Sequence, residues 1–425
     1  MTATEPGGQR HVVLVGGMGW TGAQVVDAAR AHGCRLTLVQ EADKVTDHQR
    51  ATATRVVAVD DLSDVDAVVR EIKPLHDHDP VDYILSVTEF GLVTAASAAE
   101  TLGVRTPVSS DLARLLRSKS LMRDLLRRHP DLAVRSRRCG TYEEAERATR
   151  EIGYPVVIKP DDAWGSLGVH LVTDETGLRT AFRETDGLGH AVLVEEFLKG
   201  PEFSVESFTH EGRHHILAVT EKTKLPNFIE IGHVVSGPPR TGDDDIARLV
   251  VRFLDAVGLT DGNAHTEVIL TPEGPRIVES HNRPGGDSIP LLVELATGVN
   301  LAELALAVPL GLLDVPKSPG KRRAAAIHFW VGTPGTITAA PRLPDSVERQ
   351  CAEVTLTAGP GQRVTEVLHS FDRLGSVIVV GATSEEAKTR AKDIVESHPF
   401  TIEPEDRAEA ESERHLRVRR YARGG

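Results

Sequence analysis

The chain has 425 residues, 40% of them hydrophobic and 26% charged, with a formal net charge of −13. That length holds roughly two to four domains, and the acidic balance disfavours nucleic acid or a membrane surface as a general partner, because both are polyanionic. Cys34, Cys139 and Cys351 lie too far apart for a disulfide framework or a zinc spacing. No apolar run reaches the roughly 18 residues of a membrane helix, and the first residues lack the apolar core of a signal peptide, so a cytoplasmic protein acting on small molecules is expected.

In chain order, residues 11–15 read as a strand, followed by the turn Gly16-Gly-Met-Gly-Trp-Thr-Gly22, a helix to about His32 and a strand over 35–40. This βαβ start, with a strand at 83–87 and an alanine-rich helix over 92–102, predicts a parallel α/β unit. Its glycine turn leaves a dinucleotide site open, with Glu41 ending the second strand, against the alternative of a plain βα turn. Residues 111–129 predict one helix, with Leu112, Leu115, Leu116, Leu121 and Leu125 as a buried stripe and Lys119 among them. A helix over 141–152 and a buried strand over 154–160, ending at Lys159-Pro160, precede the flexible turn 161–168 and a strand over 169–172. A lysine at a strand end before a Gly/Ser loop can place a cation and backbone N–H groups around phosphate.

Strands follow over 191–198, 202–208 and 215–220, then a helix over 243–257 and two apolar core helices over 291–297 and 301–308. The proline-bearing stretch 312–321 reads as a linker. Strands over 323–330, 354–357 and 375–380 with a helix over 384–397 predict a small α+β module, and the charged end has too few apolar residues to fold undocked.

Strands over 264–271 and 275–281 carry the most informative pattern. Pro272-Glu273-Gly274 reads as a three-residue hairpin loop, which pairs Thr271 with Pro275 and sets Glu267 opposite Glu279. Like charges at a direct cross-strand pair repel unless a cation lies between them or one carboxyl is protonated. Their apolar neighbours Val268, Ile269, Leu270, Ile277 and Val278 argue against two solvated surface glutamates. The period of two puts Glu279, His281 and Arg283 on one face, where a divalent metal at one end and an anion at the other would fit. Carboxylates with phosphate oxygens completing the shell suit Mg2+, so the pattern suggests metal-bound polyphosphate.

Lys119, Val-Val-Ile-Lys159-Pro with Gly-Ser-Leu-Gly-Val169, Glu195-Glu-Phe-Leu198 with Gly-Pro-Glu202, and His-Thr-Glu267 with Glu279 occur in this order over about 160 residues. That ordered set resembles the ATP-grasp superfamily, and Ser370-Phe-Asp-Arg-Leu-Gly375 with Ser384-Glu-Glu-Ala387 resembles the C-terminal domain of L-amino-acid ligases. The resemblance implies a multidomain α/β and α+β fold. Its parts would be a Rossmann-like N-terminal domain over 1–108, an ATP-grasp region over 109–311 with a mobile lid at about 136–198, a C-terminal α+β domain over 312–402, and a charged tail over 403–425.

By the same resemblance Lys119 and Lys159 would contact ATP phosphates, and Gly165, Ser166 and Gly168 would form the loop over the triphosphate. Glu195 would accept from the adenine amino group, aided by the backbone of Glu196 and Phe197 and by packing of Leu198, and Glu202 would accept from the ribose. Glu267 and Glu279 would hold Mg2+, with Mn2+ as a substitute. Arg283, beside Gly285 and Gly286, would hold phosphate and the developing oxyanion. Glu230 would meet a substrate ammonium, and His233 its carboxylate or the attacking amine. Glu206 is equally compatible with a solvated or salt-bridged role. The chain departs from the superfamily's Glu-x-Asn by placing His281 where asparagine is common, and strand alternation points Asn282 away.

The implied reaction is ATP-dependent ligation of a carboxylic acid to an amino-acid amine through an acyl phosphate, with small-molecule partners, no nucleic acid or membrane, and room for a homodimer. The alternatives are another ATP-grasp enzyme, such as a carboxylase or nucleotide-precursor ligase, a silent nucleotide-binding protein, and, more distantly, an NAD oxidoreductase.

Overall fold

The computed structural model describes residues 9–162, 165, 167–189, 191–236, 242–317 and 323–404. Near the N-terminus, Arg55–Val59, Arg35–Glu41, His11–Val15 and Tyr83–Leu85 pair in that order as a parallel sheet. His11–Val15 is buried along its whole length, as a central parallel strand covered on both faces must be. The glycine turn after it closes on the protein itself. Gly17 N–H donates to Gln40 Oε1 at 2.7 Å and Gly16 N–H to Val39 O, so these donors point inward and the plain βα turn, not a dinucleotide cradle, describes it.

The single helix expected over 111–129 is two, Ser110–Arg117 and Lys119–Leu126. Ser118 is extended, and its hydroxyl accepts from Leu121 N–H, capping the second helix. The break rotates the leucine stripe out of register and leaves Leu121 50% exposed. It also puts Lys119 at the start of a helix beside Asp161, whose carbonyl accepts Lys119 N–H at 3.2 Å.

A four-stranded antiparallel sheet follows, in the order Ser136–Cys139, Val192–Glu196, Val156–Pro160 and His170–Val172. Alternation gives it two chemistries. Val156, Ile158 and Val194 pack with the helices Tyr142–Ile152 and Glu175–Asp186, while Val157, Lys159, Leu171 and Glu195 face a cleft.

The far wall of the cleft is an eight-stranded sheet. Its order is Gly274–His281, Gly262–Thr271, Glu202–His210, Arg213–Lys224, Glu230–Val235, Ala324–Trp330, Gly375–Gly381 and Cys351–Leu356. The last three strands, expected as a separate module, extend this sheet through the pairing of Val235 with Ala325 and its neighbours. The strand Glu230–Val235 was not anticipated, because its glycine and its two charged or titratable side chains mask the alternation. One face supplies Phe203, Val205, Val219, Ala264, Val268 and Ile277 to the core beneath helix Asp243–Val257. The opposite face carries the polar groups.

The hairpin loop is shorter than expected. Thr271 pairs with Gly274 and Leu270 with Pro275, leaving a two-residue loop; a bulge at Val278 then adds one residue to the second strand and restores Glu267 opposite Glu279. Helices Ile289–Thr297 and Leu301–Ala307 pack in the core, bent 92° to each other, and among the described residues no single helix is long and apolar enough to cross a membrane.

Candidate active site

Between the small sheet and the polar face of the large one lies a cavity of about 580 Å3. Lys119, Lys159, Gly165 and Glu195 line it from one side, and Glu202, Glu230, Glu267 and Glu279 from the other. Glu196, Phe197 and Leu198 form part of the passage between the sheets. Gly168, in the left-handed region at φ 69°, stands behind the cavity beside Pro160 and Leu188, and Ser166 lies outside the described residues. Arg283, Gly285, Gly286 and His233 are not among the lining groups.

The electrostatic problem posed by Glu267 and Glu279 is solved by two lysines. Lys119 Nζ donates to Glu279 Oε2 at 2.8 Å. Lys222 Nζ donates to Glu267 and to Glu230 Oε1, the latter at 2.6 Å, and lies 3.5 Å from Glu202 Oε1. Burial pushes the Glu267 carboxyl up, but Lys222 and His265 outweigh burial and hold it down at about 2. Burial likewise opposes ionisation of Glu279, and Lys119 with His281 holds it well below the usual range. Both carboxylates are therefore charged at neutral pH and present hard oxygen donors to one cavity, which fits Mg2+ completed by phosphate oxygens.

Glu195 is differently placed from a free adenine acceptor. Its carboxylate receives Arg123 Nε at 2.6 Å and Lys159 Nζ at 2.6 Å. Burial raises its pKa, and the two cations override this to bring it to about 2, whereas burial followed by the nearby Arg123 and Lys119 leaves Lys159 lowered despite Glu195. With Arg123 beside the ion pair, Glu195 stays anionic and Lys159 is the group poised to exchange partners. Glu202, the expected ribose acceptor, accepts from Lys224, and burial raises its pKa in spite of Lys222 and Lys224.

Several of these groups went unrecognised in the sequence. Arg123 sits one helical turn after Lys119, so the i, i+4 relation was available; it also donates to Ile277 O at 3.1 Å and Val278 O at 2.7 Å, holding the bulge that aligns the glutamates. Lys222 and Lys224 alternate on a strand that runs beyond the expected 215–220. Glu89, from the loop after Tyr83–Leu85, accepts from Arg283 Nε at 2.7 Å and lies 3.2 Å from His281 Nδ1. No local pattern marks it.

His281 links Glu89 to Glu279, with its Nε2 3.5 Å from Glu279 Oε1. Asn282 is buried away from the cavity. Glu206 is neither solvated nor idle: it accepts from His265 Nδ1 through one oxygen and from Gly285 N–H at 3.0 Å through the other. His233 is fully buried, with Nε2 3.1 Å from Asp287 Oδ2, so its contact is with protein rather than with the cleft.

Residues 152–290 match the ATP-grasp domain, residues 26–105 the ATP-grasp N-terminal domain, and residues 328–402 the L-amino acid ligase C-terminal domain 2. The chain therefore carries ATP-grasp domains together with an L-amino acid ligase C-terminal domain. Its sequence is 25% identical over 410 residues to the uncharacterized protein y4rH of Sinorhizobium fredii, covering 93% of this chain and 84% of that protein. It is 25% identical over 285 residues to alanine–anticapsin ligase of Bacillus subtilis, covering 58% of this ATP-grasp chain and 60% of the relative's length. The fold superposes on L-amino acid ligase from Bacillus licheniformis with a TM-score of 0.77 at 20% identity, over 93% of this chain and 99% of that one.

Proposed function

We propose that this ATP-grasp protein is an ADP-forming carboxylate–amine ligase, joining an amino acid or related acid to an amino acid through an acyl phosphate. The observation that carries the reading is the half-buried, ionised Glu267–Glu279 pair, neutralised by Lys222 and Lys119 on the same cavity that Lys159 enters. Glu267 and Glu279 would hold Mg2+, which when bound screens the β- and γ-phosphate oxygens as charge moves during phosphoryl transfer.

Lys119 and Lys159 would turn from Glu279 and Glu195 to the incoming phosphates, exchanging one anionic partner for another. Backbone along 196–198 and the apolar walls from Val157, Leu171 and Phe197 would hold the base. The sheet bearing Lys159 would move as the lid, excluding water from the acyl phosphate. A substrate carboxylate oxygen attacks the γ phosphorus and ADP leaves. The amine nitrogen then attacks the activated carbonyl carbon, the C–O bond to phosphate breaks, and the amine proton departs. Arg283, now held by Glu89, would stabilise the oxyanion of that second step once substrate displaces the contact. Glu230 would take the substrate ammonium.

The test is a matrix of acids and amines assayed for ADP release with products identified by mass. ADP formation that requires both an acid and an amine, with an amide product, supports the reading. Release driven by bicarbonate without an amine, or none across the matrix, overturns it.

A further inference from the structure

Arg373 belongs to the C-terminal part of the chain and lies outside the ATP cavity, yet its charge is buried at 8% side-chain exposure. Every nitrogen of its guanidinium is committed. Nε donates to Ser370 O at 2.6 Å, Nη1 to Asp287 Oδ2 at 2.6 Å and to Glu230 O at 3.3 Å, and Nη2 to Asp287 Oδ1. The guanidinium plane also rests 3.8 Å from the centroid of the Phe329 ring. Such a two-pronged, stacked arrangement fixes both position and angle, and lysine cannot reproduce it.

What Arg373 fixes is the turn that leaves the metal-bearing hairpin. Asp287 and Ser288 both occupy the left-handed region, at φ 53° and 61°, a conformation that non-glycine residues hold only when surroundings enforce it. That turn runs from Arg283 to the start of helix Ile289–Thr297. Asp287 passes the constraint on: its Oδ2 lies 3.1 Å from His233 Nε2, and His233 in turn lies 3.7 Å from Glu230 Oε2. At its other end the same turn is pinned by Glu206 on Gly285 N–H. Three elements distant in sequence, the strand Glu230–Val235, the turn after the hairpin and the strand Ala324–Trp330, meet on one side chain.

We propose that Arg373 is a positioning residue for the amine-binding half of the site, acting through Asp287 to set His233, Glu230 and the backbone that carries Arg283. The proposal rests on the ligase reading above. It gives the C-terminal part a share in substrate recognition while leaving the nucleotide half untouched, because Arg373 contacts none of Lys119, Lys159, Glu267 or Glu279.

The experiment uses the full chain with an acid and amine pair that it joins, comparing Arg373→Lys, Arg373→Met, Asp287→Asn and the double variant Arg373→Met with Asp287→Asn. Loss of the paired hydrogen bonds in Arg373→Lys should raise KM for the amine about tenfold or more, while KM for ATP stays within about twofold of wild type. The double variant should be no worse than Arg373→Met alone, since the two groups act as a unit. Arg373→Lys keeps the buried charge and so remains informative should Arg373→Met fail to fold. An unchanged amine KM in Arg373→Lys overturns the proposal, as does an equal rise in the ATP and amine KM values or a fully additive double variant. Absence of turnover by the wild type overturns the ligase reading and this proposal together, whereas normal wild-type turnover with an unaltered Arg373→Lys overturns this proposal alone.

Discussion

At the scale of single residues, the pairing of Glu267 and Glu279 each with its own lysine explains how two half-buried anions coexist across one hairpin. Lys119 serves Glu279 and Lys222 serves Glu267, so a divalent cation arriving without nucleotide would compete with ammonium groups already in place. Arrival with a polyphosphate is different, because phosphate offers Lys119 a replacement partner. Glu279→Gln keeps the shape of the side chain and removes its charge. We expect it to lower Mg-dependent ADP formation by about 100-fold or more, the scale of a lost charge-stabilising contact, measured by coupled ADP release at saturating substrates. Full activity in that variant would remove Glu279 from the metal assignment.

At the scale of elements, the useful facts are interruptions. The bulge at Val278 aligns Glu267 with Glu279, and Arg123 secures it from a neighbouring helix. The break at Ser118 ends one helix and starts another so that Lys119 meets the cleft. Loss of the capping hydroxyl in Ser118→Ala should cost about 1 kcal/mol, read as a shift in the urea midpoint; an unchanged midpoint would mean that Asp161 alone holds the junction. Gly285 marks a third constraint. A Cβ there would fall 2.7 Å from His265 Nδ1 and 3.0 Å from Glu206 Oε1, both buried behind Glu267. Gly285→Ala should therefore lower kcat/KM through displacement of the Arg283 turn while leaving ATP affinity near wild type, as titration with ATP would show; equal losses in both would place the damage elsewhere.

For the molecule as a whole, ion pairs join elements that lie far apart in the sequence. Arg123 and Lys159 meet at Glu195, and Arg373 reaches Asp287 across the large sheet. Glu195 sits in the folded protein at about 2 against an ordinary value near 4.5. The sign follows from the depressed value: its stabilisation is present above pH 4.5 and lost as pH falls from there towards 2. The loss from this group is at most about 3 kcal/mol, less whatever the crowding of Lys159 withdraws. Urea midpoints should therefore fall across that acid window, and Glu195→Gln, less stable at neutral pH, should show a shallower fall. An equally steep acid limb in the variant would assign it to other carboxylates such as Glu279 or Asp287.

Much of this protein was determined by local chemistry that a sequence displays. The strands expected over 191–198 and 202–208 and the helix over 243–257 are present as Val192–Glu196, Glu202–His210 and Asp243–Val257, and the face carrying Glu279, His281 and Arg283 opposite Glu267 pointed to a metal-bound polyphosphate. The opposition of Glu267 to Glu279 emerged even though the loop between their strands was one residue shorter than expected, because the bulge compensates. Other features were decided by tertiary structure. Glu89 and Lys222 carry no local signature, and the helical spacing of Arg123 or the motif around Arg373 does not name a partner, since each of the four gains its role from a group tens or hundreds of residues away. The sheet likewise extends into the C-terminal strands through pairing that no hydrophobic period encodes. A sequence states which side chains alternate on a face; only the fold decides which distant charges that face must neutralise.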